Sequence, residues 1–396
     1  MSDPATTAPA PILALVESDE HRMLRESVAG IARSFGHSYF ARVRAADEPP
    51  TELWDALAAG GFLGVNLPEE YDGGGQGLVE LAIVEEEVSA AGCPLLPLMV
   101  SPGVAGTILT RHGTAAQKDR FLRPLGTGKG HYALAVTEPD AGSNSHKIAT
   151  RARREGDQWL LRGTKTYISG VEDAQVLLVL ARTGEPDDRG RAELSMFLVD
   201  ADAPGLERQD IPTVSEAPEH QWTLFFEDVA VGDDRLVGGQ GAGLAAAFDG
   251  LNPERILGAA VANGIARYAL EKASAYANER AVWGKPIGAH QGVAHPLAEA
   301  KIQLEAARLM TAKAAAMHDA GAPAGEASNM AKFLAADAGA KCLDQAIQTH
   351  GGNGLALEYG LADLWFILRL MKIAPVSREM VLNYVAQHSL GLPRSY

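Results

Sequence analysis

The amino-acid sequence predicts an α+β protein that is mostly α-helical, with a helical region at each end and a β-domain between them. Apolar residues recur at helical spacing in the first and last parts of the chain. Short β-branched and aromatic runs, separated by Gly, Asp and Pro, fill the middle. The 396 residues are enough for two or three packed lobes around a large core.

The N-terminal helical domain is predicted over residues 12–130, after a flexible Pro/Ala/Thr-rich tail at residues 1–11. Its first helix is predicted from HRMLRESVAGIARSFG, which has apolar residues at helical spacing and stops at Gly36. A later helix is predicted from LVELAIVEEEVSAAG, which follows the loop YDGGGQG.

The middle β-domain is predicted over residues 131–238 and the C-terminal helical bundle over residues 239–396. The strands are expected in HYALAVTE, IATRARREGDQWLLRGTKTYIS, AQVLLVLARTG, AELSMFLVDAD and HQWTLFFEDVAV. The long C-terminal helices are expected in ERILGAAVANGIARYALEKASAYANERAV, VAHPLAEAKIQLEAARLMTAKAAAMHD and NMAKFLAADAGAKCLDQAIQTHGGNG. Helices of this length usually pack as an up-and-down bundle.

Composition narrows the classes of function. The formal net charge of −15 and the pI of about 5.2 argue against nucleic acid or an anionic membrane surface as a partner. Cys93 and Cys342 are the two cysteines, and no Cys/His cluster suggests a metal site or a disulfide framework. No signal peptide and no apolar run long enough to span a bilayer is recognised, so a cytoplasmic location is expected.

Four segments together resemble the acyl-CoA dehydrogenase family: AVTEPDAGSN (135–144), GTKTYIS (163–169), RAVWGKPIGAHQ (280–291) and QTHGGNG (348–354). The resemblance covers nearly the whole chain and keeps the order of the motifs. It implies an N-terminal helical domain, a middle β-barrel and a C-terminal four-helix bundle. It also implies noncovalently bound FAD, an acyl-CoA substrate, an electron-transferring flavoprotein as electron acceptor and a homotetramer built as a dimer of dimers.

The first two motifs are assigned by this resemblance to the flavin ring. The Val136 backbone and the Thr137 hydroxyl are expected at the isoalloxazine, where hydrogen bonds tune the flavin. Tyr167 and Ser169 stand where relatives commonly have a Trp and a Thr. Ser143 matches a residue at the cofactor and the acyl-CoA chain. Without the resemblance, an ordinary strand with an inward-facing aromatic side chain is a second interpretation of TKTYIS.

The resemblance assigns the last two motifs, together with Ser377 of the C-terminal loop, to the rest of the FAD molecule. Arg280 matches an arginine that reaches the cofactor of a neighbouring subunit, and small residues let the backbone approach a diphosphate. By itself, GGNG could be a simple helix C-terminal turn. The assigned residues are Arg280, Trp283, Gln291, Gln348, Gly351, Gly352 and Ser377.

Glu254, in GLNPERILG, has two interpretations. Asn252 could cap a helix that has Pro253 in its first turn, and Glu254 would then favour the positive end of the helix dipole. The family resemblance instead implies a catalytic base, at the position used by the isovaleryl- and long-chain-type enzymes. Glu254 would then remove the α-proton of an acyl-CoA while the β-hydride passes to flavin N5. Arg255 and Asn252 are assigned to the CoA chain, or Arg255 to holding the helix turn.

The alternative base position of the family corresponds here to Pro375, which can neither act as a base nor offer a backbone N–H. Three interpretations follow. Val376 could supply the missing N–H donor to the thioester oxygen, the enzyme could work with one donor fewer, or the chemistry could differ. An acyl-CoA oxidase, a flavin monooxygenase and a non-catalytic partner subunit are therefore alternatives to the dehydrogenase. No metal ligands are predicted.

Overall fold

The structure is a computed structural model that describes residues 17–185, 187–188, 192–214 and 217–395. The tail expected at residues 1–11 lies outside the described residues. Three regions follow one another along the chain: helices, a β-sheet and a second set of helices.

The N-terminal region is helical, as predicted. Gly36 has a non-helical backbone (φ 68°, ψ 177°) that interrupts the first helix where the sequence indicated a stop. The third helix is buried along most of its length because it packs against the first helix and two helices of the C-terminal region. The helices are α1 (Asp19–Ala45), α2 (Thr51–Ala59), α3 (Leu78–Ala90), α4 (Leu96–Leu98), a π-helical segment (Met99–Ala105), α5 (Gly106–His112) and α6 (Ala115–Gly126).

The middle region is a sheet with the strand order β6-β7-β3-β2-β4-β5-β8, and the first strand pairs in parallel with β4. The strands are β1 (Tyr132–Ala135), β2 (Arg151–Glu155), β3 (Gln158–Ser169), β4 (Val176–Arg182), β5 (Leu194–Asp200), β6 (Leu206–Asp210), β7 (Gln221–Gly232) and β8 (Leu236–Val237).

The barrel implied by the resemblance is not closed, and that part of the prediction is wrong. In the described residues β6 and β8 are the free ends of the strand order and do not pair with each other. Strands β2 and β4 meet at a single residue pair, Arg151 and Arg182. The sheet therefore divides into two halves that enclose an apolar core containing Trp159, Phe197 and Phe226. Burial of these side chains holds the halves together without continuous hydrogen bonding around a barrel.

The C-terminal region is a helical bundle, as predicted. Its three long helices pack on one another mainly through buried alanines, whose small side chains permit close helix contacts. The elements are α7 (Gly243–Glu279), β9 (Ala281–Val282), β10 (Lys285–Pro286), α8 (Gln291–Asp319), α9 (Gly325–His350), α10 (Trp365–Ile373) and α11 (Arg378–His388).

The sequence predicts neither a membrane-spanning segment nor a metal site. Within those ranges, no helix combines the length and apolar character needed to cross a membrane. The described residues contain no group of three or more His, Cys, Asp or Glu side chains placed to hold a metal ion. Cys93 and Cys342 are buried free thiols.

Candidate active site

Glu254 lies well inside a helix rather than at its start. Helix α7 begins at Gly243 and continues through Pro253, so the predicted Asn252 cap and first-turn Pro253 are wrong. The error has a physical reason: a proline also occurs inside a helix when tertiary packing offsets the lost hydrogen bond. Eleven residues into α7, Glu254 has no free helix N–H groups beside it. The helix-dipole interpretation of this carboxylate therefore fails.

The surroundings of Glu254 suit an acid–base role. The side chain is half-buried, and burial raises its pKa to about 7, although the neighbouring Arg255 opposes the shift. Arg255 Nη1 donates to Asn252 Oδ1 at 3.0 Å, so the arginine is held against its own helix turn. Burial lowers the pKa of Arg255, and the charge of Glu254 raises it. A carboxyl group whose pKa is close to 7 can both release and take up a proton at neutral pH.

The rate of turnover should follow the titration of Glu254. Because a base must be deprotonated, kcat/KM is expected to rise about tenfold per pH unit below the pKa of about 7 and to level off above it. Replacing Arg255 with Met removes the opposing charge, so the midpoint should move to higher pH. The check is the pH profile of kcat/KM, which reports groups of the free enzyme. A midpoint near the ordinary glutamate value in both proteins would contradict this assignment.

The space beside Glu254 is bounded by small and flexible residues. Gly258 lies one helical turn farther along α7, and a Cβ there would be 3.5 Å from Met371 Sδ and 3.6 Å from Met99 Sδ. Across the bundle, Lys332 on α9 donates to the Val376 carbonyl at 2.5 Å. Burial lowers the pKa of Lys332 to about 8, and the charge of Arg255 lowers it further. The C-terminal loop is therefore tied to α9 next to the α7 turn that carries Glu254.

The structure places one backbone N–H directly after Pro375, where the resemblance implies that a donor is lost. The Val376 carbonyl is held by Lys332, and no protein acceptor for the Val376 N–H is found among the described residues. That N–H is free to bind another molecule, as the first of the three interpretations requires. Ser377, assigned to the cofactor, caps α11 instead, because its Oγ accepts from the Met380 N–H at 3.3 Å. The cap does not exclude a further hydrogen bond by the hydroxyl.

The structure brings Val136, Thr137, Tyr167 and Ser169 together where β1 ends beside β3. The Val136 carbonyl accepts from Lys165 Nζ at 2.9 Å, and the Thr137 carbonyl accepts from the Thr166 N–H at 2.9 Å. Ser169 exchanges hydrogen bonds of 2.8 and 3.1 Å with Gln221 on β7. Ser143 lies in the exposed loop that follows Thr137. Val136, Thr137, Tyr167 and Ser169 therefore lie together at the carboxyl ends of β1 and β3, hereafter the sheet edge.

Tyr167 departs from ordinary strand geometry. Its φ of 56° lies in the left-handed region, which costs a non-glycine residue free energy, and 63% of its side chain is exposed. The alternative of an inward-facing core aromatic is therefore wrong. Strain of this kind at an exposed aromatic ring is typical of a ligand site, since bound ligand can cover the ring.

Two residues that no sequence pattern indicated, Glu138 and Lys165, hold this edge in place. Glu138 accepts from the N–H groups of Ala149 and Thr150 at 2.6 and 2.9 Å and pairs with Lys165 Nζ at 2.9 Å. Burial lowers the pKa of Lys165 to about 8, with Glu138 opposing the shift. Burial would raise the pKa of Glu138, but Lys165 and the N–H donors hold it below its usual value. Both residues lie inside the quoted motifs, whose composition alone does not indicate a buried pair.

The second group of assigned residues lies at the far end of α7. Arg280 ends the helix, and Trp283 in the following hairpin is 89% exposed with a φ of 52°. The loop after α9 comes close, because Tyr276 stacks on His350 with ring centroids 4.3 Å apart. The side chains of this group are open to solvent, and a Cβ at either glycine would meet no atom within 4 Å. The remaining members are Gln291, Gln348, Gly351 and Gly352.

The group around Arg280 does not meet Glu254 within one chain. Twenty-six residues of helix separate Glu254 from Arg280, which is about 39 Å at the usual rise per residue. The sheet edge with Tyr167 belongs to the middle domain, which packs against the first part of α7: a Cβ on Gly243 would lie 2.4 Å from the Ser195 backbone. Within a single chain, the group around Arg280 is therefore far from the part of α7 that carries Glu254.

The fold defines a class of three-domain protein, in which a helical bundle that carries a partly buried carboxyl group packs against a β-domain. Comparison with known proteins identifies the class. The chain matches the family models for Acyl-CoA dehydrogenase, N-terminal domain (residues 18–129), middle domain (133–229) and C-terminal domain (241–390). The chain belongs to the acyl-CoA dehydrogenase family.

Individual relatives agree with the family models. The chain is 50% identical to Acyl-CoA dehydrogenase FadE12 of Mycobacterium tuberculosis over 383 residues, covering 96% of this chain and 98% of that protein. The structure of butyryl-CoA dehydrogenase from Megasphaera elsdenii superimposes with a TM-score of 0.90 at 26% identity, covering 96% of this chain and 100% of the other. An FAD complex of PigA superimposes with a TM-score of 0.89 at 27% identity, with coverage of 96% and 100%.

Proposed function

We propose that this protein catalyses the FAD-dependent α,β-dehydrogenation of an acyl-CoA thioester to the trans-2-enoyl-CoA, with Glu254 as the base. The single observation that carries the proposal is the half-buried Glu254 carboxyl, whose pKa near 7 allows it to accept a proton at neutral pH. Glu254 takes the α-proton on its carboxylate. The Val376 N–H is the proposed donor to the thioester oxygen, where it would stabilise the negative charge that develops. Asn252, Arg255 and Ser143 are proposed to contact the CoA chain.

The residues of the sheet edge fit a flavin. The exposed, strained Tyr167 offers an aromatic face, and Thr137 and Ser169 offer hydroxyl groups beside it. Bound FAD would supply the acceptor for the hydride equivalent lost by the β-carbon. The Glu138–Lys165 pair keeps this edge in one arrangement by holding the Val136 carbonyl. An electron-transferring flavoprotein is the proposed recipient of the electrons.

The distance between the group around Arg280 and Glu254 supports a homo-oligomer in which each cofactor is shared. The site made by one subunit, with Val136, Thr137, Tyr167 and Ser169, would be completed by a second subunit. The residues that complete it would be Arg280, Trp283, Gln291, Gln348, Gly351 and Gly352. Exposure of Trp283 and of the glycine backbone in the single chain fits this arrangement. A dimer of dimers is the proposed assembly.

Shared sites predict complementation between two defective variants. Arg280→Ala and Tyr167→Ala should each lower the FAD content of the purified protein by about tenfold, because each removes contacts worth roughly 1–2 kcal/mol. Co-expressed subunits carrying one change each should regain part of the FAD, since mixed oligomers contain sites free of both changes. FAD absorbance per subunit, with size-exclusion chromatography and light scattering, gives the answer. If the mixed protein held no more FAD than each single variant, a shared site would be contradicted.

The proposed function itself is tested by an anaerobic titration of the FAD-loaded protein with acyl-CoAs of short, medium, long and branched chains. Loss of the visible flavin band with one class establishes the half-reaction and identifies the acyl class. A yellow protein that no acyl-CoA bleaches would contradict the proposal and favour a partner subunit. Rapid reoxidation of the reduced protein in air would favour the oxidase alternative.

A further inference from the structure

Lys332 is a buried lysine that no acid pairs with directly. Its side chain, in the middle of α9, is 2% exposed. Its one hydrogen bond within the described residues goes to the Val376 carbonyl at 2.5 Å, while Asp337 and Glu379 act on it only through longer-range charge. Burying a cation without a paired acid is costly, so a buried group of this kind calls for an explanation. The role of this lysine is therefore to be sought at Val376.

Lys332 is level with the α7 turn that carries the proposed base. A Cβ on Gly325, the first residue of α9, would lie 4.0 Å from Asn252 Oδ1. A Cβ on Gly339, farther along α9, would lie 3.1 Å from the Ala262 carbonyl. The two helices therefore run side by side in the same direction. Lys332 is midway between the two glycines, and the matching midpoint of α7 falls in the turn after the base.

The loop that contains Val376 reaches the same place from α10. Met371 Sδ on α10 would lie 3.5 Å from a Cβ on Gly258, and the loop of residues 374–377 begins within one turn of this contact. Val376 is half-buried, and its N–H has no protein acceptor in the part of the chain that the structure describes. This N–H is therefore open to a ligand beside Glu254.

Helix α9 also holds both ends of this loop. Asp337 accepts from Lys372 Nζ in the last turn of α10 at 2.8 Å and from Arg378 Nη2 at the start of α11 at 3.3 Å. The Arg378 guanidinium lies over the Phe333 ring, 4.5 Å from its centroid. These three charged groups are partly exposed, so each contact contributes little. The buried hydrogen bond of Lys332 is the stronger constraint on the loop, because solvent does not compete with it.

The contacts on either side of Val376 limit the direction of its N–H. The ring of Pro375 fixes the φ angle of the preceding residue. On the other side, Lys332 holds the Val376 carbonyl, and Ser377 Oγ caps α11. A β-branched valine does not readily adopt a positive φ. With its carbonyl held, Val376 therefore keeps its N–H in one direction.

We propose that Lys332 is a positioning residue of the reaction: by holding the Val376 carbonyl, it aims the Val376 N–H at the thioester oxygen of the acyl-CoA. That oxygen gains negative charge while Glu254 takes the α-proton. A donor that is already fixed in place stabilises this charge without any rearrangement during the reaction. This inference rests on the proposed dehydrogenase function and assigns the residue that makes up for the donor lost at Pro375.

The test measures removal of the α-proton separately from hydride transfer. In a 3-thiaacyl-CoA, sulfur replaces the β-carbon, so the α-proton can leave but no β-hydride is present. The electron-rich enolate beside oxidised flavin is detected by its long-wavelength charge-transfer absorbance. In Lys332→Met, the pH midpoint at which this absorbance forms should rise by about 1–2 units, because the enolate is stabilised about 10–100-fold less.

The kinetics should change in the rate and not in the binding. With the acyl-CoA that bleaches the wild-type protein fastest, the saturating rate of flavin reduction in Lys332→Met should fall by about 10–100-fold. The half-saturating concentration should change by less than about threefold, since the thioester oxygen carries no full charge before the proton leaves. Lys332→Arg, which keeps a charged donor for the Val376 carbonyl, should recover most of both losses.

Asp337→Asn separates positioning from the charge of Lys332 acting through space. It removes a negative charge near the loop, so an effect of charge alone would lower the pH midpoint of enolate formation. It also frees both ends of the loop, so loss of positioning should raise that midpoint, in the same direction as Lys332→Met. A lower midpoint in Asp337→Asn would overturn the positioning role in favour of a charge effect.

Folding is controlled by a matched change on the same helix. Lys341→Met removes a lysine that pairs with Glu299 on α8, away from the loop, and should behave as wild type. Lys332→Met should fold and bind FAD, because methionine is similar in length and the change removes a desolvated charge.

The outcomes distinguish this inference from the proposed function. If no acyl-CoA bleaches the wild-type protein and no thia-analogue gives the enolate band, the dehydrogenase proposal itself fails. If the wild-type protein reacts and Lys332→Met keeps its enolate midpoint and reduction rate, the dehydrogenase stands and the positioning role is overturned. A loss of activity explained entirely by lower FAD content, with a normal enolate midpoint in the loaded fraction, would also overturn it in favour of a purely structural lysine.

Discussion

Replacing Glu254 with Gln should slow the reduction of the flavin by acyl-CoA by about 10²–10⁴-fold, because the amide keeps the size of the side chain but cannot accept the α-proton. FAD content and thermal stability should stay near wild type. The measurement is anaerobic stopped-flow reduction with the acyl-CoA that bleaches the wild-type protein fastest.

The matched control is Glu271→Gln, an exposed change on the same helix that should leave the reduction rate unchanged. A Glu254→Gln protein that reduces its flavin at the wild-type rate would remove this residue from the mechanism. Since the resemblance matches the second base position of the family to Pro375, the base would then have to be sought outside the family pattern. The alternatives of different chemistry and of a partner subunit would gain support.

Replacing Lys165 with Met should destabilise the protein by about 3–5 kcal/mol, because it leaves the Glu138 carboxylate buried without its charged partner. Lys165 is 0% exposed and Glu138 is 6% exposed, so solvent cannot replace the lost pairing. The Val136 carbonyl loses its donor at the same time, and FAD should dissociate more readily. Chemical denaturation and the FAD dissociation constant measure the two effects.

Two further proteins test whether the pairing itself is responsible. Lys147→Met removes an exposed lysine from the loop just before β2 and should change neither property. Adding Glu138→Leu to Lys165→Met should restore part of the stability, since no unpaired buried charge remains. The two residues would be energetically independent if Glu138→Leu lowered the stability of the Lys165→Met protein by as much as it lowers the stability of the wild-type protein.

The sequence by itself determined the order of the three regions, the interruption at Gly36 and the helical bundle. These features depend on local periodicity and on the backbone freedom of glycine, which short stretches of sequence carry. The family resemblance, which rests on motifs that are each continuous in the sequence, also indicated Glu254 as the candidate base. The same local reasoning failed at Asn252 and Pro253, because packing continues α7 through a proline that by local preference would start a helix.

Only the tertiary structure decided how distant residues combine. The sheet is open because its end strands, β6 and β8, do not pair with each other, and the left-handed backbone of Tyr167 lies where the pairing of β3 with β7 is irregular, between Lys165 and Ile168. Glu85 and Glu219 are buried acids of different domains, and no pattern in the sequence indicates their burial. Their burial depends on how the helices pack on the sheet, because desolvation is a property of the folded surroundings and not of the residue.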